Sequence, residues 1–240
     1  MQQAVETFIK LFTLSILRYF IIAGIPFAVF YYMLSARLSR FKIQQRNAIR
    51  KEFAREIVQS LKTIIILTGI AYIVLYTPFR QITKIYDNIN DFSLWWLFAS
   101  VVLALVIHDT YFYWMHRLLH HPKLFRHVHL EHHRSTNPSP WASYSFHLIE
   151  SFTEGAVLFI IVLIIPMHQT GIILFVIVAF IINVYGHLGY EIAPKWLRNT
   201  WLFEILNTSV YHNLHHSKFK GNYGLYFRVW DRVMGTEHPD

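Results

Sequence analysis

Phe92-Ser93-Leu94-Trp95-Trp96-Leu97-Phe98-Ala99-Ser100-Val101-Val102-Leu103-Ala104-Leu105-Val106-Ile107 runs without a charge straight into His108-Asp109-Thr110-Tyr111-Phe112-Tyr113-Trp114-Met115-His116-Arg117-Leu118-Leu119-His120-His121. No Gly or Pro separates the two halves, so one helix is expected to cross an apolar phase and emerge carrying imidazoles, staying helical until Pro122. His116 and His120 are four apart and share a face, and His108 lies two turns back on roughly the same face.

The rest of the chain has the same character. Of 240 residues, 54% are hydrophobic and 15% charged, against about 25% charged in soluble domains. Three more apolar regions are Tyr19–Ala36, Thr63–Phe79 and Gly155–Gly186. The first has its start around Leu11 if Arg18 sits near its edge, and Pro26 is expected to kink it. Without a basic lead-in or an A-x-A exit, it reads as a retained span. The last is broken at Pro166-Met167-His168-Gln169-Thr170-Gly171, which predicts a hairpin of two short spans over a re-entrant loop. The fold expected is all-α, integral to a membrane, with about four or five transmembrane helices and a cytoplasmic helical cap. We read residues 1–240 as one membrane-embedded domain: 1–91 supply N-terminal helices and a basic loop, and 92–240 the histidine-bearing region.

The net charge of +8 lies mostly beside the apolar runs, which fits membrane topology and anionic head groups better than nucleic acid. Arg37, Arg40, Lys42, Arg46, Arg50, Lys51 and Arg55 face only Glu52 and Glu56 in one loop, placing that loop in the cytoplasm. Ile49, Phe53 and Ile57 within it are spaced for an interfacial amphipathic helix. Counting spans from there puts every histidine cluster on the cytoplasmic face, of an inner membrane if bacterial or the endoplasmic reticulum if eukaryotic.

The chain has no cysteine, which excludes thiolate metal sites, iron–sulfur clusters, thiolate-ligated haem and disulfides. It has 15 histidines instead. After the first cluster come His129-Leu130-Glu131-His132-His133 and His212-Asn213-Leu214-His215-His216, the same pattern twice, with His187 between. Neutral imidazole suits iron, zinc, copper and nickel. The set His116, His120, His129, His132, His133, His187, His212, His215 and His216 makes nine, too many for one ion that takes about four to six ligands and right for two. Asp109, Glu131, Glu150, Glu191 and Asp231 are carboxylates able to orient imidazoles or to ligate. His168, His238, His127 and His121 read as structural or interfacial, and His108 and His147 stand between the two readings. The zinc-protease pattern H-E-x-x-H is absent. A cation transporter places its polar residues inside the spans, and here the spans are almost free of them. A nitrogen-rich two-metal site beside a lipid phase suits oxygen activation on a lipid, because an unactivated C–H bond needs a redox metal.

From His108-Asp109 through Phe112-Tyr113-Trp114, His116-Arg117 and His120, then the two later clusters, Gly186-His187-x-Gly189-Tyr190, Asn222-Tyr223-Gly224, Trp230-Asp231-Arg232 and Gly235-Thr236, the sequence resembles the fatty acid hydroxylase superfamily, which includes sterol desaturases and membrane fatty acid hydroxylases. The similarity runs from about 92 to 238; the N-terminal third resembles the family only in being apolar. The resemblance implies two iron ions, O2 as co-substrate, a sterol-like or fatty acyl lipid that is hydroxylated or desaturated, and electrons from an external donor of reductase, cytochrome or ferredoxin type. Some members carry a further histidine four residues after the Gly-His pair. Here that position is Glu191, so either Glu191 is a ligand or the site has one histidine fewer. His147 with Glu150 resembles a His-x-x-Glu element common in relatives. The rival reading is a membrane metal-binding or transport protein without redox turnover. Tyr111, Tyr113, Trp114, Trp141 and Tyr144 are read first as an interfacial aromatic belt and second as a lipid channel. A structural salt bridge is expected for Arg117.

Overall fold

In the computed structural model, which describes residues 2–46 and 48–238, the apolar runs form five long helices. These are α1 (Gln2–Ala28), α2 (Arg50–Tyr76), α3 (Leu94–Leu119), α4 (Leu148–Ile164) and α5 (Gln169–Gly186). Four stretches are long and apolar enough to cross a membrane: Gln2–Met33, Arg50–Tyr76, Leu94–Leu119 and Gln169–Gly186. The protein is an all-α, multi-pass membrane protein. Its exposed apolar side chains, such as Ile21, Ile25, Phe98, Val102 and Ile173, lie on these helices, where lipid takes the place of a protein partner.

Several expected boundaries move. The first helix starts at Gln2, so Arg18 lies well inside it and not near its edge. Arg18 is half-buried there and hydrogen-bonds the Tyr144 side chain, which offsets part of the cost of a charge within the span. Pro26 sits within α1, and Val29–Met33 behind it are wound as a π-helix. Proline removes a backbone donor and crowds the preceding turn, and a π-turn absorbs the mismatch. The amphipathic segment is not a separate interfacial helix, because α2 runs unbroken from Arg50. Phe53 and Ile57 pack against a buried aromatic cluster, and Glu56 is buried, accepting from the Ser139 hydroxyl at 2.5 Å. α3 ends at Leu119 instead of Pro122; His121 caps, and Pro122 begins, the next helical turn, Pro122–Val128.

The hairpin goes the full depth. Its turn contains β2 (Met167–His168), which pairs in parallel with β1 (Ile85–Tyr86) in the loop joining α2 to α3. α4, at 17 residues, leads to this turn beside the longer helices and is shorter than the four stretches able to span a membrane. A two-part core holds them. Ile70, Val74, Val101, Val157, Ile161 and Phe175 fill the half near this turn. Tyr19, Phe27, Trp141, Tyr144 and Phe180 form an aromatic block near the other end. α2 and α4 meet closely at Gly155, where an added Cβ would lie 2.4 Å from Ile70 Cδ1.

The basic loop and the histidines share the end opposite the hairpin turn. Ile43 N–H donates to Gly189 O at 3.0 Å, and the Gln44 side-chain amide donates to Asn213 Oδ1 at 2.7 Å. Gly189 has φ +74°, and a Cβ there would meet the Tyr31 hydroxyl at 2.7 Å, so this contact requires glycine on both counts.

Candidate metal centre

Three segments of the cap and the end of α3 bring all nine singled-out histidines together. They divide into two groups: His116, His120, His129, His133 and His215, and His132, His187, His212 and His216. Within each group the available ring nitrogens lie within 4.8 Å of one another. α3 delivers His116 and, at its C-cap, His120. His187 caps α5. Helix α6 (Ser209–Lys218), N-capped by Thr208, supplies the last three. His212 and His216 are i, i+4 on one face, whereas His215 is turned about 100° from His216 around the axis and joins the other group. The short turn Leu130–His133 splits likewise, with His133 to the first group and His132 to the second.

The spacing of the nitrogens suits metal ligands better than mutual hydrogen-bond partners. His212, His187 and His216 form a triangle of Nε2 atoms at 3.1, 3.3 and 3.1 Å. Three neutral rings cannot all satisfy such a triangle, since each Nε2 carries either one proton or one lone pair. Nitrogens about 2.1 Å from a common ion are separated by about 3.0 to 3.4 Å when cis or tetrahedral, the spacing seen here. His116 and His129 Nε2 stand 3.0 Å apart, and His120 and His133 Nε2 3.1 Å. His215 Nε2 is buried with no partner. The donor set fits two metal ions.

The far side of five rings is fixed. His116 Nδ1 donates to Tyr223 O at 2.9 Å and His120 Nδ1 to Phe219 O at 3.0 Å. His187 Nδ1 donates to Asn183 O at 2.8 Å and His215 Nδ1 to Gly221 O at 2.7 Å. His129 Nδ1 donates to Glu150 Oε1 at 2.7 Å. Each bond places the proton on Nδ1 and leaves the Nε2 lone pair facing the site. Burial also keeps the rings neutral. It lowers His187 and His215 to about 4 and, with His215 nearby, His120 to about 2. His129, His132, His133, His212 and His216 are held well below the ordinary histidine range, again by burial first and neighbouring imidazoles second.

None of the five carboxylates enters either group. Glu150 orients His129. Asp109 accepts from the Tyr226 and Phe227 amides at 2.7 and 3.2 Å. Asp231 accepts from the Tyr223 and Gly224 amides at 2.9 and 2.7 Å, fixing the loop whose carbonyls hold His116 and His215. Glu131 pairs with Arg134 at 2.6 Å. Glu191 accepts from the Tyr185 hydroxyl at 2.7 Å and the Ala193 amide at 2.8 Å, turned away from the imidazoles. His108 is also outside both groups: it donates to Glu154 at 3.2 Å and accepts from the Tyr226 hydroxyl at 2.8 Å. His121, His147 and His168 cap helices. Arg117 lies 3.3 Å from the Tyr113 hydroxyl and over Trp114, and it has no carboxylate partner among the described residues, contrary to expectation. Tyr113 and Trp114 pack on Trp230, while Trp141 and Tyr144 belong to the buried aromatic block.

The family model described as fatty acid hydroxylase matches residues 101–236, more than half the chain. The protein belongs to the fatty acid hydroxylase family. It is 30% identical over 215 residues to a Delta(7)-sterol 5(6)-desaturase of Gibberella zeae, covering 87% of this chain and 65% of that one. It is 31% identical over 194 residues to lathosterol oxidase of Rattus norvegicus, covering 80% and 63%. With the human lathosterol oxidase the figures are 31% over 209 residues, 86% and 67%. The chain thus spans a little under two thirds of the length of the first two of these fatty acid hydroxylase family relatives. No solved structure matches it.

Proposed function

We propose that this chain is a membrane-bound di-iron oxygenase that hydroxylates or desaturates a lipid with O2 and electrons from an external donor. The observation that carries the reading is the pair of converging groups of neutral imidazoles, five and four, at one end of a membrane bundle. The nine histidines would hold two iron ions, which supply the redox chemistry with O2 that an unactivated C–H bond requires. The relatives' names point to a sterol as the lipid. The protein's own part is positional. Carbonyls 183, 219, 221 and 223 and the Glu150 carboxylate fix tautomers and ring planes, and burial excludes water from eight of the nine rings, all but His120. The basic loop packed on the same end supports a cytoplasmic site under the positive-inside rule.

The test is iron content and O2-dependent lipid oxidation in the same purified protein. Two irons per chain and O2 uptake coupled to a hydroxylated or unsaturated product are expected. A single ion, or exchangeable zinc without O2 uptake, would return the protein to the metal-binding or transport class.

A further inference from the structure

One face of the cap opens onto the larger group of imidazoles. Eight of the nine rings are buried, and His120 is partly exposed. Two phenylalanines frame it. Phe125, on the turn Pro122–Val128, has its ring centroid 5.2 Å from that of His120 and 5.4 Å from that of His133. The Phe219 carbonyl accepts from His120 Nδ1 at 3.0 Å, and the Phe219 ring centroid lies 5.0 Å from that of His133 and 6.1 Å from that of Phe125. Phe219 ends α6 at φ +61°, in the left-handed region where glycine is usual and a bulky side chain is strained. It is still 38% exposed. A single layer of aromatic rings thus separates two candidate ligands from the outside.

The charge around this spot has one sign. Lys218 and Lys220 flank Phe219 in the chain, Lys123 and Arg126 lie either side of Phe125, and all four are exposed. No Asp or Glu occurs between Asp109 and Glu131 or between Glu204 and Asp231. Glu131 and Glu237 are taken by Arg134 at 2.6 Å and Arg232 at 2.9 Å, and no ion pair engages the four cations among the described residues. α3 has 26 residues, about 39 Å at 1.5 Å per residue, so His120 at its end stands beyond a hydrocarbon layer of about 30 Å. The geometry points to this patch as the docking face for an acidic protein that carries single electrons, which enter past Phe125 and Phe219 to His120 and His133. Electron transfer weakens steeply with distance, and here the path to the nearest candidate ligands is one ring deep. A positive rim around that path selects a partner with a negative face. Each docked carrier passes one electron to one ferric ion, leaving itself oxidised and that ion ferrous; two successive carriers reduce the pair, and no bond breaks. The use of those electrons rests on the oxygenase reading above, whereas the docking does not.

The experiment uses the iron-loaded full chain in phosphatidylcholine nanodiscs and two probes, an acidic [2Fe–2S] ferredoxin and an acidic b-type cytochrome domain. At least one is expected to bind, and to bind about tenfold or more weakly when salt is raised from about 20 to about 300 mM. Lys123→Gln/Lys218→Gln/Lys220→Gln should weaken binding about fivefold or more at low salt and slow reduction of the iron by the pre-reduced probe to match. Arg37→Gln/Arg40→Gln/Lys195→Gln removes the same charge elsewhere on that end and should stay within about twofold of the unmodified protein. Binding by neither probe, salt-independent binding, or equal loss in both variants overturns the docking face and leaves the lysines to anionic head groups. The salt series decides even if a variant fails to fold. Dithionite reduction followed by O2-dependent lipid oxidation, without patch-dependent binding, removes the docking face and keeps the oxygenase reading. Patch-dependent binding with no lipid oxidation after dithionite does the reverse.

Discussion

Glu150 and Glu191 are both buried carboxylates near imidazoles, and they do different work. Glu150 touches His129 at 2.7 Å, whereas Glu191 touches Tyr185 and a backbone amide. Glu150→Ala should weaken metal retention by about 10–100-fold, the range typical when the partner of a ligating histidine is lost. Glu191→Gln should keep wild-type metal content. His132→Ala should lose metal from its group together with turnover, while His168→Ala, at the hairpin end, leaves both intact. Metal analysis and product formation on the same preparations check all four, and full activity with two metals in His132→Ala would refute the site assignment. The nine histidines were legible in the sequence because their spacing is helical. Four of the five groups that orient them were not, because they are backbone carbonyls of Asn183, Phe219, Gly221 and Tyr223, and any residue type carries a carbonyl.

At the scale of helices, the α2–α4 contact depends on the missing side chain of Gly155. A Cβ there would lie 2.4 Å from Ile70 Cδ1 and 2.8 Å from Leu67 Cδ2. Gly155→Val should destabilise the protein by about 1–3 kcal/mol through overpacking, read as a lower Tm in detergent. Gly69→Ala, where an added Cβ meets nothing within 4 Å, should not lower it. An unchanged Tm for Gly155→Val would mean that the two helices separate freely there. Helix existence followed from apolar runs of adequate length. Helix limits did not, because α1 and α2 continue past the apolar runs into charged turns, which in α2 tertiary partners satisfy, Glu56 by Ser139 and Arg55 by Ser135.

Taken whole, the molecule gathers uncharged imidazoles in a space that disfavours their protonation. His187 and His215 sit near 4 when folded, against 6.5 for an ordinary histidine. As pH falls below about 6.5 the unfolded chain takes up protons first, so the stability these groups contribute is intact above that pH and is lost toward pH 4. Metal-free protein should show a Tm that falls between pH 7 and pH 5, and loaded protein a higher Tm with a shallower fall, because metal binds only the neutral rings. A flat metal-free profile over that window would contradict the burial of the site. Orientation is tested separately: a cysteine placed by Ser217→Cys, exposed beside the last cluster, should react with an impermeant thiol reagent only after the membrane is opened. Labelling of intact cells would invert the topology.

Composition and period alone determined that this chain is a membrane helical protein with nine candidate ligands, since hydrophobic length and i, i+3, i+4 spacing are local properties of a helix. Only the tertiary structure decided how those candidate ligands divide. His132 parts from its neighbour His133, and His215 from His216, because rings about 100° apart on one turn meet different partners. It also removed Glu191 and His108 from the metal groups and set His108 against Glu154 and Tyr226. Which side chains converge depends on contacts between segments as far apart as α3 and the 219–231 loop, and no local pattern encodes a distance between them.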